Sequence, residues 1–184
     1  IDKYQVKLLY NPEYACKNSL TTVYYARDLF RGRNMYLLAS DNWIRNNMFH
    51  KYECASWYSS AYMQGPTSEW CISFNKKGRV TSVVIGGKDS WVMYGPAFLS
   101  RSFSERFLSY IEAAYRRPGT EQFYWEQILM DHIDDLEFFA NCQPEEQVYE
   151  FENLEELREF DPRYQNRSDN KALELISQVF KVEE

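Results

Sequence analysis

The sequence holds only two histidines and four cysteines, and neither type forms a cluster. Cys16, Cys54, Cys71 and Cys142 show no CxxC spacing and no partner histidine pattern, so the usual signatures of a zinc site or a dithiol redox centre are missing. Buried free thiols in a reducing compartment are the expectation. His50 and His132 are isolated, and ordinary packing suits each better than a general-base role. No basic cluster exceeds two residues and the net charge is −6, which argues against a nucleic-acid partner. A small anionic substrate remains compatible, because a local basic pocket can sit inside an acidic surface. No apolar run approaches the roughly 18 residues of a membrane span, and nothing resembles a signal peptide. A cytoplasmic protein with no membrane partner is therefore expected, and the Asn166-Arg-Ser168 sequon carries little weight. Phosphate-binding loops of the types GxGxxG and GxxxxGK[ST] are absent, and Gly86-Gly87 lies in a hairpin context.

What is present is aromatic and globular. Aromatic residues make up 17% of the chain and hydrophobic residues 45%, enough for a folded core and against disorder. A length of 184 residues suits one domain. Val6–Tyr10 reads as a strand. Asn18 or Ser19 caps a helix through Phe30 with Leu20, Val23, Tyr24 and Phe30 on one face. A strand follows, so strand, helix and strand suggest a βαβ unit with a parallel sheet. The middle of the chain reads as antiparallel strands over 55–63, 70–74, 79–85 and 90–94, with a break at Gly65-Pro66 and a hairpin loop at Asn75-Lys-Lys-Gly78. Ser102 and Glu105 make a capping box for a helix to Arg117. A second helix is predicted from about Glu121 to Ile133. Strands over 137–142 and 148–151, a short helix capped by Asn153 and Glu156, and an amphipathic helix over Lys171–Val182 complete an α/β pattern.

Three stretches are candidates for chemistry. In Met35-Tyr-Leu-Leu-Ala-Ser-Asp41-Asn42 an apolar run ends abruptly in a carboxylate and an amide. As a buried strand, it would leave Asp41 at the carboxyl end of the sheet, where ligand crevices of open α/β sheets lie. The alternative is that Ser40-Asp41-Asn42 caps a helix through Ile44–Phe49. In Glu121-Gln-Phe-Tyr-Trp-Glu126, helical spacing would set Glu126 opposite Tyr124, with plain amphipathic packing as the alternative. In Val148-Tyr-Glu-Phe151, alternation turns Glu150 away from Tyr149 and Phe151. Trp70, Tyr124, Trp125, Trp91 and Tyr94 are possible aromatic faces for a cationic group, which gains about 0.5–1 kcal/mol per exposed ring and 2 or more when desolvated. Chance aromatic clusters are common in so aromatic a chain.

The order of Tyr14-Ala-Cys-Lys-Asn18-Ser, Tyr36-Leu-Leu-Ala-Ser-Asp41-Asn42, Ser68-Glu69-Trp70, Phe123-Tyr124-Trp125-Glu126 and Val148-Tyr149-Glu150-Phe151 resembles bacterial CTP:phosphocholine cytidylyltransferases, within the sugar-phosphate nucleotidyltransferase superfamily. The resemblance runs from about Val6 to Phe180. It implies a Rossmann-like nucleotidyltransferase fold, a mixed and mostly parallel sheet flanked by helices with an antiparallel insertion. It implies transfer of CMP from CTP to phosphocholine, giving CDP-choline and pyrophosphate, with Mg²⁺ as cofactor. Asp41 and Glu126 would be catalytic and metal-binding, although the family carries Asp at the position of Glu126. Trp70, Tyr124 and Glu150 would bind the choline end, with Trp125, Glu69 and Asn18 beside them. The family's N-terminal strand and Gly-rich loop, of the type GxGxR…P…PK, are not in this sequence. The expectation is that residues 1–184 form a single domain, the C-terminal portion of a nucleotidyltransferase catalytic domain, weakly active or inactive alone and completed by an N-terminal segment or fused domain. The alternatives are a related transferase with another acceptor and a non-catalytic choline-binding module.

Overall fold

The computed structural model describes residues 6–164. The helix expected over Lys171–Val182 and the sequon at Asn166 lie outside the described residues. Helix α1 spans Ser19–Phe30 with Asn18 as its N-cap, as the sequence predicts. Strands β1 (Met35–Leu37), β2 (Asn42–Ile44), β3 (Trp57–Phe74) and β4 (Val80–Leu99) follow, then helices α2 (Arg101–Arg116) and α3 (Glu126–Asp131). Strands β5 (Phe139–Cys142) and β6 (Val148–Glu150) and helix α4 (Leu154–Phe160) come last, before a 3₁₀ turn at Pro162–Tyr164. Two compact units emerge, Ile1–Tyr149 and Glu150–Glu184.

The first unit is built on a mixed four-stranded sheet in the order β1-β4-β3-β5. β1 and β3 run antiparallel to β4, and β5 runs parallel to β3. Helices cover it, so the mixed α/β class read from the sequence holds, with a larger antiparallel share among the described residues than expected. Strand alternation separates two cores, as a period of two requires. Met35, Leu37, Tyr58, Ala97 and Leu99 join the main core with Phe103, Phe107, Leu108, Ile111 and Phe138. Tyr36, Trp57 and Phe98 point to the other face and pack with Met48, Phe49 and Val148.

β3 and β4 are not simple strands. Val92 pairs with Ala61 on one side and with Cys71 on the other, and Trp91 pairs with both Tyr62 and Ile72. The two elements therefore double back, and the segments predicted separately over 55–63, 70–74, 79–85 and 90–94 lie side by side as a local ribbon. Gly65 does not end the strand as expected: β3 runs through it with a register slip between Met63 and Pro66. Its φ is +79°, where a Cβ is disfavoured, and its amide donates to the Asp89 carboxylate at 2.7 Å. The hairpin loop forms: the Asn75 amide donates to the Arg79 carbonyl at 2.9 Å, with Gly78 at φ +82°.

Several expectations are corrected. Val6–Tyr10 is not a strand, so no βαβ crossover precedes β1, whose partner is the antiparallel β4. Ser40-Asp41-Asn42 caps no helix, because Asn42–Ile44 is a strand in a two-stranded sheet with β6. Backbone pairing wins there: the Arg45 amide donates to the Gln147 carbonyl at 2.9 Å. Ser100, not Ser102, caps α2, accepting from the Phe103 amide at 3.4 Å. The helix predicted from Glu121 begins only at Glu126. Of the four cysteines only Cys71 is buried, while Cys16, Cys54 and Cys142 are exposed free thiols. In the second unit the predicted cap holds: the Glu156 amide donates to Asn153 Oδ1 at 3.0 Å, and Glu156 Oε2 accepts from the Glu152 amide at 2.9 Å.

Candidate active site

The site grows from the irregular stretch 121–125. Thr120 closes the turn after α2, its hydroxyl donating to the Ala114 carbonyl at 2.6 Å. The stretch then runs beside the start of α1. The Asn18 amide donates to the Glu121 carbonyl at 2.9 Å, and the Leu20 amide donates to the Phe123 carbonyl at 3.2 Å. Ser19 Oγ accepts from the Trp125 amide at 3.1 Å. Donors of a helix N-terminus lack partners within their own helix. Here carbonyls of another segment accept from them, which is why 121–125 stays out of helix. Asn18, Tyr124, Trp125 and Glu126 are thereby brought together.

Each side chain then has a distinct surrounding. Trp125 is buried, its ring stacked on Tyr58 at 5.5 Å and meeting Phe107 edge-on at 5.7 Å, so it is a core ring behind the site. Tyr124 is half-exposed and meets Trp70 edge to face, with centroids 6.3 Å apart. Glu69 precedes Trp70, its amide held by Thr67 Oγ1 at 3.1 Å. Glu126 opens α3, and its Oε1 accepts from the Tyr58 hydroxyl at 2.9 Å. Asn18 Oδ1 accepts from the Ser19 amide at 2.7 Å, so its recorded contact is with the start of α1. Two other predicted rings are elsewhere. Trp91 packs against Tyr62 and Phe74, and Tyr94 packs against the core on the other sheet face.

Asp41 is exposed and receives a 3.3 Å contact from Asn42 Nδ2. Its strand is placed by register: Leu37 of β1 and Tyr58 of β3 are both partners of Ala97. Neighbouring strands lie about 4.8 Å apart, so these two backbones are separated by roughly 10 Å. The strand that precedes Asp41 thus ends, at Leu37, level with the backbone of Tyr58. Glu150 ends β6 and belongs to the second unit.

Behind α1, the Glu13 carboxylate gathers Lys17 at 2.7 Å, the Tyr115 hydroxyl at 2.7 Å and the Tyr25 hydroxyl at 3.0 Å. Lys17, then Tyr115, hold the Glu13 carboxyl below its usual range. The same contact pushes the Tyr115 phenol and the Lys17 ammonium upward. This cluster anchors the turn that delivers Asn18.

No known family profile matches the sequence. A choline-phosphate cytidylyltransferase from Streptococcus pneumoniae is 25% identical over 167 residues, which are 91% of this chain and 72% of that protein. A 2-aminoethylphosphonate cytidylyltransferase from Lancefieldella rimae is 26% identical over 160 residues, 86% of this chain and 65% of its own length. The solved structure of the CTP:phosphocholine cytidylyltransferase from Streptococcus pneumoniae superposes with a TM-score of 0.80 at 24% identity, over 88% of this chain and 70% of that one. The chain is similar to bacterial cytidylyltransferases in sequence and in fold.

The chain spans between about two thirds and three quarters of the length of these cytidylyltransferases. Their likeness supports the resemblance drawn from the ordered motifs and the fold expected from it. It does not single out side chains, and two residues beside the predicted set went unread in the sequence. Tyr58 sits in the Trp-, Tyr- and Ser-rich run over 55–63, where alternation alone gives no reason to prefer it. Ile85 is the register partner of Trp70 and 60% exposed. Directly opposed residues of an antiparallel pair share a face, so Ile85 flanks the tryptophan in this cytidylyltransferase fold.

Among the described residues no group of three or more His, Cys, Asp or Glu side chains could hold a metal ion. A Mg²⁺ site needs less, because that ion keeps waters and is bound through one or two carboxylates plus substrate phosphates. The donors here fit it: Asp41 offers an exposed carboxylate, and the adjacent Asn42 Oδ1 is buried without a hydrogen-bond partner. No described helix is long and apolar enough to cross a membrane.

Proposed function

We propose that this chain carries the metal and acceptor residues of a Mg²⁺-dependent cytidylyltransferase that moves CMP from CTP to phosphocholine. The observation that carries the reading is the edge-to-face pair of Trp70 and Tyr124, the latter two residues before Glu126 in the chain. Ring faces are what a trimethylammonium head requires. In the reaction a phosphocholine phosphate oxygen attacks the α-phosphorus of CTP. The bond from that phosphorus to the β-phosphate bridging oxygen breaks, and pyrophosphate leaves with its electron pair.

No covalent step falls to the protein, so alignment and charge neutralisation dominate. Trp70 and Tyr124 hold the acceptor by its cationic end and point its phosphate away from the rings. Asp41 and Glu126 would hold the Mg²⁺, with Glu126 on the acceptor side. When bound, the ion offsets the repulsion between two polyanions. Asn18 and Trp125 shape the wall, and Glu69 adds negative charge toward the choline end.

Calorimetric titration tests the reading. CTP is expected to bind with Mg²⁺ present and to lose measurable heat in Asp41→Ala or with chelator. Choline binding with no response to CTP in the parent protein would instead mark a binding module.

A further inference from the structure

The structure assigns Tyr58 as the residue that positions the Glu126 carboxylate, an inference that rests on the acceptor-side role proposed for Glu126. Glu126 is the first residue of a helix of only six residues whose N-cap, Trp125, makes no side-chain cap. A glutamate at the start of so short a helix gains from an anchor outside its own element. Tyr58 has the properties of one. It lies in the interior of the sheet, paired with Ala97 on β4 and Ala140 on β5. Its ring is 7% exposed and stacks on Trp125 with planes 15° apart. A buried tyrosine hydroxyl is costly unless bonded, and this one donates to Glu126 Oε1 at 2.9 Å. The ring is gripped by the residue that precedes Glu126, and the hydroxyl grips Glu126 itself. One rigid side chain thus sets both the backbone entry to α3 and the direction of the carboxylate. Tyr124, on the other side of Trp125, is carried by the same lock. Tyr58 touches no reacting atom in this arrangement and acts through Glu126.

Tyr58→Phe keeps the ring and removes only the donor. With Glu126→Gln and the double variant it forms a cycle measured in steady state and by thermal melting. Hydrogen bonds to charged groups contribute about 1.5–3 kcal/mol, so kcat/KM for phosphocholine is expected to fall about tenfold or more in Tyr58→Phe. KM for CTP should change less than kcat/KM for phosphocholine, because Glu126 is placed on the acceptor side of the ion. The double variant should lose no more than Glu126→Gln alone. An unchanged kcat/KM in Tyr58→Phe, additive losses, or an equal loss for both substrates would overturn the assignment. Should the parent protein not respond to phosphocholine, the acceptor reading fails. The same cycle read in melting temperatures still reports on the anchor: coupled shifts sustain it and additive shifts overturn it.

Discussion

Trp70 and Tyr124 are remote in the chain, and their meeting depends on two unrelated placements. Trp70 is set by its pairing with Ile85, and Tyr124 by the carbonyls that serve the first turn of α1. A desolvated cation gains about 2 kcal/mol from such a face, and 1.4 kcal/mol is tenfold in affinity. Trp70→Ala is therefore expected to raise KM for phosphocholine about tenfold or more, read in initial-rate assays. An unchanged KM would remove the ammonium from this pocket. A second residue-scale prediction concerns Glu13. Its carboxyl is depressed by Lys17 and Tyr115, so its contribution to stability is present above the ordinary carboxylate pKa and is lost as pH falls through the lower folded value. Tyr115 and Lys17 are raised, so their share is present below their ordinary pKa values and is lost only as pH rises through the raised ones. Glu13→Gln should lower the melting temperature at neutral pH, and the gap from the parent protein should close in strongly acidic buffer. A gap independent of pH would show that the charge is not what matters.

Elements were legible wherever their signal was local. Asn18 and Asn153 announce α1 and α4 because a cap is written within four residues, and Gly78 announces its hairpin for the same reason. The larger failures were tertiary. The stretch 121–125 has helical composition, but the start of α1 claims its carbonyls and amides. Asn42–Ile44 follows Ser40 and Asp41 and starts on a third good capping residue, yet β6 offers a partner strand. The doubling back of β3 and β4 is a matter of register, which one strand's pattern cannot encode. Gly95 makes this dependence testable. Its φ is +93°, and a Cβ there would stand 2.9 Å from Val148 Cγ1 and 3.4 Å from Ser59 Oγ. Left-handed strain for a residue other than glycine and overpacking each cost about 1–3 kcal/mol. Gly95→Ala bears both and should destabilise the protein by about 2–6 kcal/mol in chemical denaturation, while Gly119→Ala, with open space around it, would bear only the strain. Equal losses in both would mean that the contact with β6 is soft.

At the scale of the whole molecule, relatedness does not choose the acceptor. The chain is 25% identical to a protein named for choline-phosphate and 26% identical to one named for 2-aminoethylphosphonate. Both acceptors join an anionic phosphorus group to a cationic nitrogen two carbons away, so a common fold serves either. What separates them is the head: a primary ammonium has three N–H donors to satisfy, and a trimethylammonium has none. Donors call for acceptor oxygens, and methyl groups call for apolar surface and ring faces. The rim found here has the rings of Trp70 and Tyr124, and Ile85 stands opposite Trp70 on the same face. With no hydrogen bond needed from the head, that rim would favour the methylated acceptor on the function proposed above. In competition between equal concentrations of phosphocholine and 2-aminoethylphosphonate, the ratio of kcat/KM should favour phosphocholine by about tenfold or more, the worth of one desolvated ring face. Ile85→Asp adds a carboxylate to the rim and should shift the ratio toward the primary ammonium. A parent protein that prefers 2-aminoethylphosphonate would keep the cytidylyltransferase fold and reverse the acceptor.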